Sequence, residues 1–369
     1  MSGRAAGPQP RPGVLDITAY VPGSSGSGAT RSFKLSSNES PLGPSPFAVE
    51  AFRANSASLH VYPDGTANAL RAKLSRIHAI PAEQILCGAG SDELLKLLAY
   101  GYLQDGDEAV ISRYAFVSYL IDTMAAGARP VMVEELGLRV DLEAMLECVT
   151  PRTKVVFLAN PNNPTGTYVP KRDILELHRR LPQDVLLVLD EAYAEYVVRD
   201  DYQSCLDLAA AAPNVIVLRT FSKIYGLAAL RLGWCAAARP IIEALARIRP
   251  PFSVSGPANA AGLAALDDSS HLAASLAHNQ RWLPWLSQQI AALGYAVTPS
   301  VGNFVLVHFD PEDARSADRA YRFLAERGLI LRPLDGYALP QALRLSVGTS
   351  EANPLVIEGL KAFRESSSP

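Results

Sequence analysis

Cysteine is scarce in this chain, and neither sign of charge dominates. Four cysteines (Cys87, Cys148, Cys205 and Cys235) are spread over 369 residues. Their spacing matches neither a disulfide framework nor a zinc site, so they read as small buried thiols suited to a reducing cytoplasm. Lys and Arg total 34 against 37 Asp and Glu, a formal net charge of −3. That balance offers no field for nucleic acid or an anionic bilayer. No stretch approaches the length of uninterrupted apolar sequence that a membrane-spanning helix needs. The opening MSGRAAGPQPRPG lacks the apolar core of a secretory signal, which places the expected location in the cytoplasm. His271 and His278 share a helical spacing but have no carboxylate-rich run beside them, so no metal is expected. There is no internal repeat.

What is present is a strand-and-helix alternation long enough for two lobes. Residues 1–30, rich in Pro, Gly and Ser, read as a flexible N-terminal arm. Residues 31–265 alternate short apolar runs with helical patterns, which predicts an α/β domain on a mostly parallel sheet; its first residues are shared with the smaller domain. Residues 266–369 read as a small α+β domain, with the texture changing after Pro284. Leu70, Leu74 and Ile77 mark one face of a helix, Arg315 to Arg327 a helix stopped by Gly328, and Asn353–Pro354 the start of a last helix burying Val356, Leu360 and Phe363. His178 reads as a solvated helix end, Glu134–Glu135 as an exposed strand end, and Tyr100, Tyr102, Tyr114 and Tyr119 as core or interface.

Three strand ends carry reactive groups. Val215 to Leu218 is an apolar, β-branched run, and Lys223 follows within a few residues, where open α/β sheets place ligands. Arg231 comes eight residues later, ahead of Gly233 and Trp234. Val155 to Ala159 runs into NPNNPTG, a turn whose prolines and glycine hold the amide of Asn163. Val185 to Leu189 runs straight into Asp190, with Tyr193 close behind. A carboxylate there needs a cationic or N–H partner, because leaving it desolvated and unpaired is costly. Gly88 and Gly90 bracket a turn, and Ser91 and Asp92 open a helix whose free N–H groups suit a phosphate; Ser222 and Arg231 add a hydroxyl and a guanidinium. An amine, a carboxylate, a phenol, an amide and an anion site together match pyridoxal phosphate chemistry: a Schiff-base lysine, and a carboxylate partner that lets the ring act as an electron sink.

These stretches resemble the fold-type I pyridoxal phosphate enzymes of the class I/II aminotransferases, most closely the histidinol-phosphate aminotransferases. The matching segments include KLSSNESPLGPSP, YPDGTANALRAKL, GAGSDELL, NPNNPTG, VLDEAYAEY, TFSKIYGLAALRLGW and LRLSVGT, and the full set spans Ile17 to Thr349. The resemblance implies that Lys223 is the Schiff-base lysine and proton shuttle, Asp190 the pyridinium partner, and Asn163 and Tyr193 the ligands of the ring oxygen. It implies a phosphate cup of Ser91, Asp92, Ser222 and Arg231, with Tyr62 of YPDG donated across a homodimer interface to the neighbouring site. Arg344 matches the residue that grips the substrate carboxylate, while Arg332 and Tyr20 shape the substrate end. Phe116 stands where the family places an aromatic over the ring, often a tyrosine, and without a hydroxyl it can only stack.

The activity implied is exchange of an amino group between L-histidinol phosphate and 2-oxoglutarate, by ping-pong kinetics, in histidine biosynthesis. Related enzymes with nearly the same motifs act on aromatic or specialised amino acids. Phosphothreonine-type decarboxylases share the constellation and differ in which Cα bond stands perpendicular to the ring. A transcription regulator on this fold would need a basic helix-turn-helix, which residues 1–30 do not supply.

Overall fold

The computed structural model describes residues 8, 10–24, 31–310 and 316–366. Much of the 1–30 arm and Arg315, with which the predicted helix was to begin, lie outside the described residues. Among the described residues thirteen strands follow in chain order: β1 (Phe33–Lys34), β2 (Ile85–Gly88), β3 (Glu108–Ser112), β4 (Arg129–Val133), β5 (Thr153–Ala159), β6 (Leu186–Asp190), β7 (Val215–Thr220), β8 (Gly233–Ala237), β9 (Ala296–Thr298), β10 (Phe304–His308), β11 (Leu329–Ile330), β12 (Arg332–Pro333) and β13 (Ala342–Ser346).

The central sheet has seven strands in the order β2-β8-β7-β6-β5-β3-β4. Only β8 runs against its neighbours; the other pairs are parallel. Every residue of β3, β6, β7 and β8 is buried, as a sheet covered by helices on both faces requires. The period of two sorts these residues between two cores. Val156, Leu158, Leu187, Leu189, Val215 and Val217 meet Leu70, Leu74, Ile174 and Leu177. Val155, Phe157, Leu186, Val188, Ile216 and Leu218 meet Leu94, Leu98, Tyr119 and Leu245 on the other face.

A second, antiparallel sheet in the order β12-β13-β10-β9 carries the helices Ser269–Ala292, Ala317–Glu326 and Ala352–Ser366 around Leu286, Leu324, Val356, Leu360 and Phe363. Strand β1 pairs in parallel with β11, so the chain just after the arm belongs to this smaller body. We propose the division near residue 265, between the helices Gly256–Ala265 and Ser269–Ala292.

Several local expectations are corrected. Pro284 lies inside the helix Ser269–Ala292 and marks no boundary; the buried Trp282, Leu286 and Ile290 hold the helix through the backbone bond that proline cannot donate. Ile77 is 49% exposed, because it falls in the last turn before the chain turns off at Ala79 (φ 54°). His178 is half-buried, with Nε2 2.9 Å from Asn214 Oδ1, so it joins two elements and is not merely solvated. His271 and His278 each contact a backbone carbonyl, those of Gly43 and Gly348. Among the described residues no helix is long and apolar enough to cross a membrane, and no group of His, Cys, Asp and Glu is placed to hold a metal ion.

The contrast on the helix Asn68–His78 is measurable. Leu74→Ala, at a fully buried position, is expected to cost about 2–5 kcal/mol in denaturant unfolding. Ile77→Ala should stay within about 0.5 kcal/mol of the parent.

Candidate active site

The chain leaves β3 toward β4 at one edge, and leaves β5 toward β6 in the opposite direction. The switch point is therefore the crevice between β3 and β5, at their carboxyl ends, where open α/β sheets bind ligands. A cavity of about 270 Å³ opens there. It collects residues from the loops after β2, β3, β5, β6 and β7, from residues 36–39, and from the smaller body.

Asp190 ends β6 with 6% of its surface exposed. Its Oδ2 accepts from the Tyr119 hydroxyl at 2.7 Å and its Oδ1 from the Ala192 amide at 3.1 Å. Burial pushes the carboxyl up to about 6, against the pull of these two donors. Tyr119 is itself 1% exposed, stacks on Phe157 with 4.9 Å between ring centres, and meets the Phe116 ring edge-on at 5.9 Å. Core or interface placement is expected for Tyr119, and it is core; the contact with Asp190 was missed, because nothing in its spacing points to a carboxylate 71 residues away.

Lys223 faces the same cavity from the loop after β7, with Nζ 3.2 Å from the Ser37 carbonyl and 5.6 Å from the centre of the Tyr193 ring. Burial first, and then the Arg344 guanidinium, bring its amine down to about 8. Gly226, at φ 69°, closes the turn behind the lysine; a Cβ there would lie 2.2 Å from the Gly43 carbonyl, so only glycine lets the loop pack so near the segment that bears Ser37.

The helix Ser91–Tyr102 starts at the cavity wall with its first-turn N–H groups free of intrahelical partners. Gly90, at φ 84°, precedes it, and a Cβ there would lie 2.5 Å from Arg231 Nη2. Arg231 Nη2 donates to Asp92 Oδ2 at 2.8 Å, and its Nη1 donates to Ser222 Oγ at 3.2 Å. The four residues expected to form an anion cup are thus brought together.

Across the cavity, Arg344 on β13 is 5% exposed and donates to Asn163 Oδ1 through Nη1 and to the Ser36 carbonyl at 2.7 Å through Nη2. Its Nε has no partner. Arg332 donates to the Val21 carbonyl at 2.7 Å, with its guanidinium 5.6 Å from the centre of the Tyr20 ring. The Tyr193 hydroxyl accepts from Asn38 Nδ2 at 2.9 Å. Asn38 and Tyr337 line the cavity too and were missed; the first lies in KLSSNESPLGPSP, a stretch noted without a role for each residue. Tyr62 does not line this cavity. It is 79% exposed and stacks on Phe252 with ring centres 4.5 Å apart.

A model of the aminotransferase class I and II family matches residues 30–360. A histidinol-phosphate aminotransferase of Nitrobacter winogradskyi is 50% identical over 358 residues, which cover 96% of this chain and 98% of that protein. One from Rhodopseudomonas palustris (strain BisB18) matches at 50% over the same shares of the two chains. The crystal structure of histidinol-phosphate aminotransferase from Sinorhizobium meliloti in complex with pyridoxal-5'-phosphate superposes with a TM-score of 0.90 at 29% identity, over 99% of this chain and 100% of that one.

Because the folded Asp190 is shifted upward, its ionisation weakens the cofactor-free protein as pH rises through about 6. Asp190→Asn removes that loss. The variant should be more stable than the parent at pH 8 by about 3 kcal/mol, with the gap closing below the ordinary carboxylate range. Denaturant unfolding across pH checks it; a gap independent of pH would show that Asp190 is not a desolvated carboxylate.

Proposed function

The chain belongs to the class I and II aminotransferases, and from that membership we propose that it exchanges an amino group between L-histidinol phosphate and 2-oxoglutarate, a step of histidine biosynthesis. It is a pyridoxal 5'-phosphate enzyme. The observation that carries the choice of chemistry is the convergence of a lysine amine, a buried carboxylate and two guanidiniums (Arg344 and Arg332) on one cavity.

The residues fit the cofactor. Asp190 offers a desolvated carboxylate, hydrogen-bonded by one phenol and one amide and suited to a ring N–H. The turn at Gly90 has a φ in the left-handed region that favours glycine, and the helix start behind it, with Ser91, Asp92, Ser222 and Arg231, suits a phosphate. Asn163 and Tyr193 would hold the ring oxygen, and Phe116 would stack on the ring face. When bound, pyridoxal phosphate supplies an aldehyde that captures the amino group and a ring that accepts electron density from the substrate Cα.

The chain's own groups do the rest. An amine near 8 releases its proton at modest cost, so Lys223 serves as the base that takes the substrate Cα proton and as the acid that redelivers it. Arg344 and Arg332 bind the anionic ends of both substrates, the phosphate of the donor and the carboxylates of the acceptor. Since one site serves both substrates in turn, the kinetics are ping-pong. Tyr62 serves the site of a second copy in a homodimer. Its exposure beside Leu59 (70%) and Val61 (61%) supports an interface there. A reducing cytoplasm suits the four free cysteines.

A half-reaction followed by absorbance tests the function. Loaded protein mixed with histidinol phosphate alone should lose its aldehyde-form band lastingly and gain the pyridoxamine band. With phosphothreonine in its place, a band that dips and returns with release of carbon dioxide would mean a decarboxylase. Lys223→Ala should lower turnover by roughly 10²–10⁴-fold or more. Arg344→Gln should raise KM for the acceptor by roughly 10- to 150-fold, the worth of a charge-assisted contact. Mixed dimers of Tyr62→Ala and Lys223→Ala chains should exceed the activity of either parent variant; activity no higher than theirs would remove Tyr62 from the neighbouring site.

A further inference from the structure

Glu135 takes no part in the chemistry above, yet two site loops converge on it. Its place beside Glu134 reads in sequence as an exposed strand end, and the structure corrects this: the carboxyl is largely buried just beyond β4. Its Oε1 accepts from Ser112 Oγ at 2.5 Å, from the Tyr114 amide at 3.3 Å, and in a longer contact from Asn162 Nδ2 at 3.4 Å. Ser112 is the last residue of β3, Tyr114 leads to Phe116, and Asn162 precedes Asn163. One oxygen therefore gathers donors from both loops that flank the switch point. Asn162 Nδ2 also reaches the Tyr114 carbonyl at 3.2 Å and Thr165 Oγ1 at 3.0 Å, which joins the loops directly.

The remaining atoms say more. Glu135 Oε2 and Asn162 Oδ1 are both buried and both without a partner. A proton on the carboxyl, or a water beside either atom, would relieve a buried acceptor that has no donor. Burial, with Glu134 as a lesser like charge, raises the carboxyl above its ordinary range, and the Ser112 hydroxyl and Tyr114 amide oppose this.

We propose that Glu135 is a positioning residue: acting through Asn162 and the Tyr114 amide, it locks the 113–116 and 160–166 loops together so that Phe116 and Asn163 meet the cofactor ring as one unit. Because Asn163 Oδ1 accepts from Arg344 Nη1, the lock extends to the substrate's anionic group. The inference rests on the placement of Phe116 and Asn163 in the site.

The test uses the full chain, first without cofactor. Glu135→Ala should speed amide hydrogen exchange in 113–116 and 160–166 selectively, by roughly tenfold or more, as expected for loss of a hydrogen-bonded carboxyl. Glu135→Gln keeps a carbonyl oxygen for the same donors, so it should keep protection. Asn162→Ala cuts the same link from the other side and should reproduce the selective loosening, which also covers the case of Glu135→Ala failing to fold. Glu108→Gln is the structural control. Glu108 is a fully buried carboxylate at the opposite end of β3, bound by Arg129, Arg152 and Thr150, and its loss should lower stability without singling out these loops. With cofactor, Glu135→Ala should shift the absorption band and raise KM for 2-oxoglutarate more than it lowers kcat, and Glu135→Gln should restore both. Unselective exchange, or a glutamine variant no better than alanine, overturns the proposal. Selective loosening with an unmoved band and KM would leave the lock standing and instead remove Phe116 and Asn163 from the site.

Discussion

The structure depends on keeping a carboxylate at the end of a strand that is otherwise wholly apolar. Asp190 follows Leu186 to Leu189, all buried, and an ionised group there is unfavourable unless its oxygens find donors. Tyr119 and the Ala192 amide supply two. The phenol can reach it only because the helix Val117–Ala126 packs on that face of the sheet, with Tyr119 stacked on Phe157 of the neighbouring strand. The site's central charge is therefore held by the same packing that forms the core.

A second set of buried charges steadies the loop after β6. Arg219 on β7 is 6% exposed and pairs with Glu191 and Glu195, each at 2.9 Å, while Glu191 also accepts from Ser204 and the Cys205 amide. Glu191 adjoins Asp190, and Tyr193 lies between the two glutamates, so the cluster ties the loop after β6 to the strand that leads to Lys223. Removing one member of such a buried set leaves an uncompensated charge, and the cost of that exceeds what the pair itself contributes.

The two bodies meet around Asn38. Its side chain donates to Tyr193, its backbone N–H donates to Ser346 Oγ, Ser346 Oγ donates back to its Oδ1, and Asn303 Nδ2 donates to its carbonyl. Asn38 sits at φ 55°, a conformation open to few residues, of which Asn is one. Through it the segment after the arm, strand β13 with Arg344, and the loop with Tyr193 share one buried network. The Arg344 guanidinium on one body and the Tyr193 phenol on the other are thereby set at a fixed separation.

Much of this was legible from local pattern. The uninterrupted apolar runs of β5, β6 and β7, the glycine turn before Ser91, and the groups at three strand ends pointed to the sheet and to the cavity that Lys223, Asp190 and Asn163 line, because each depends on residues close in sequence. The roles of Tyr119 and Asn38, the burial of Glu135, the continuation of a helix through Pro284 and the exposure of Ile77 were decided only by the tertiary structure. Each turns on which distant segment packs against the residue, as with Tyr119 and Asp190, and that pairing leaves no mark in the spacing of neighbouring side chains.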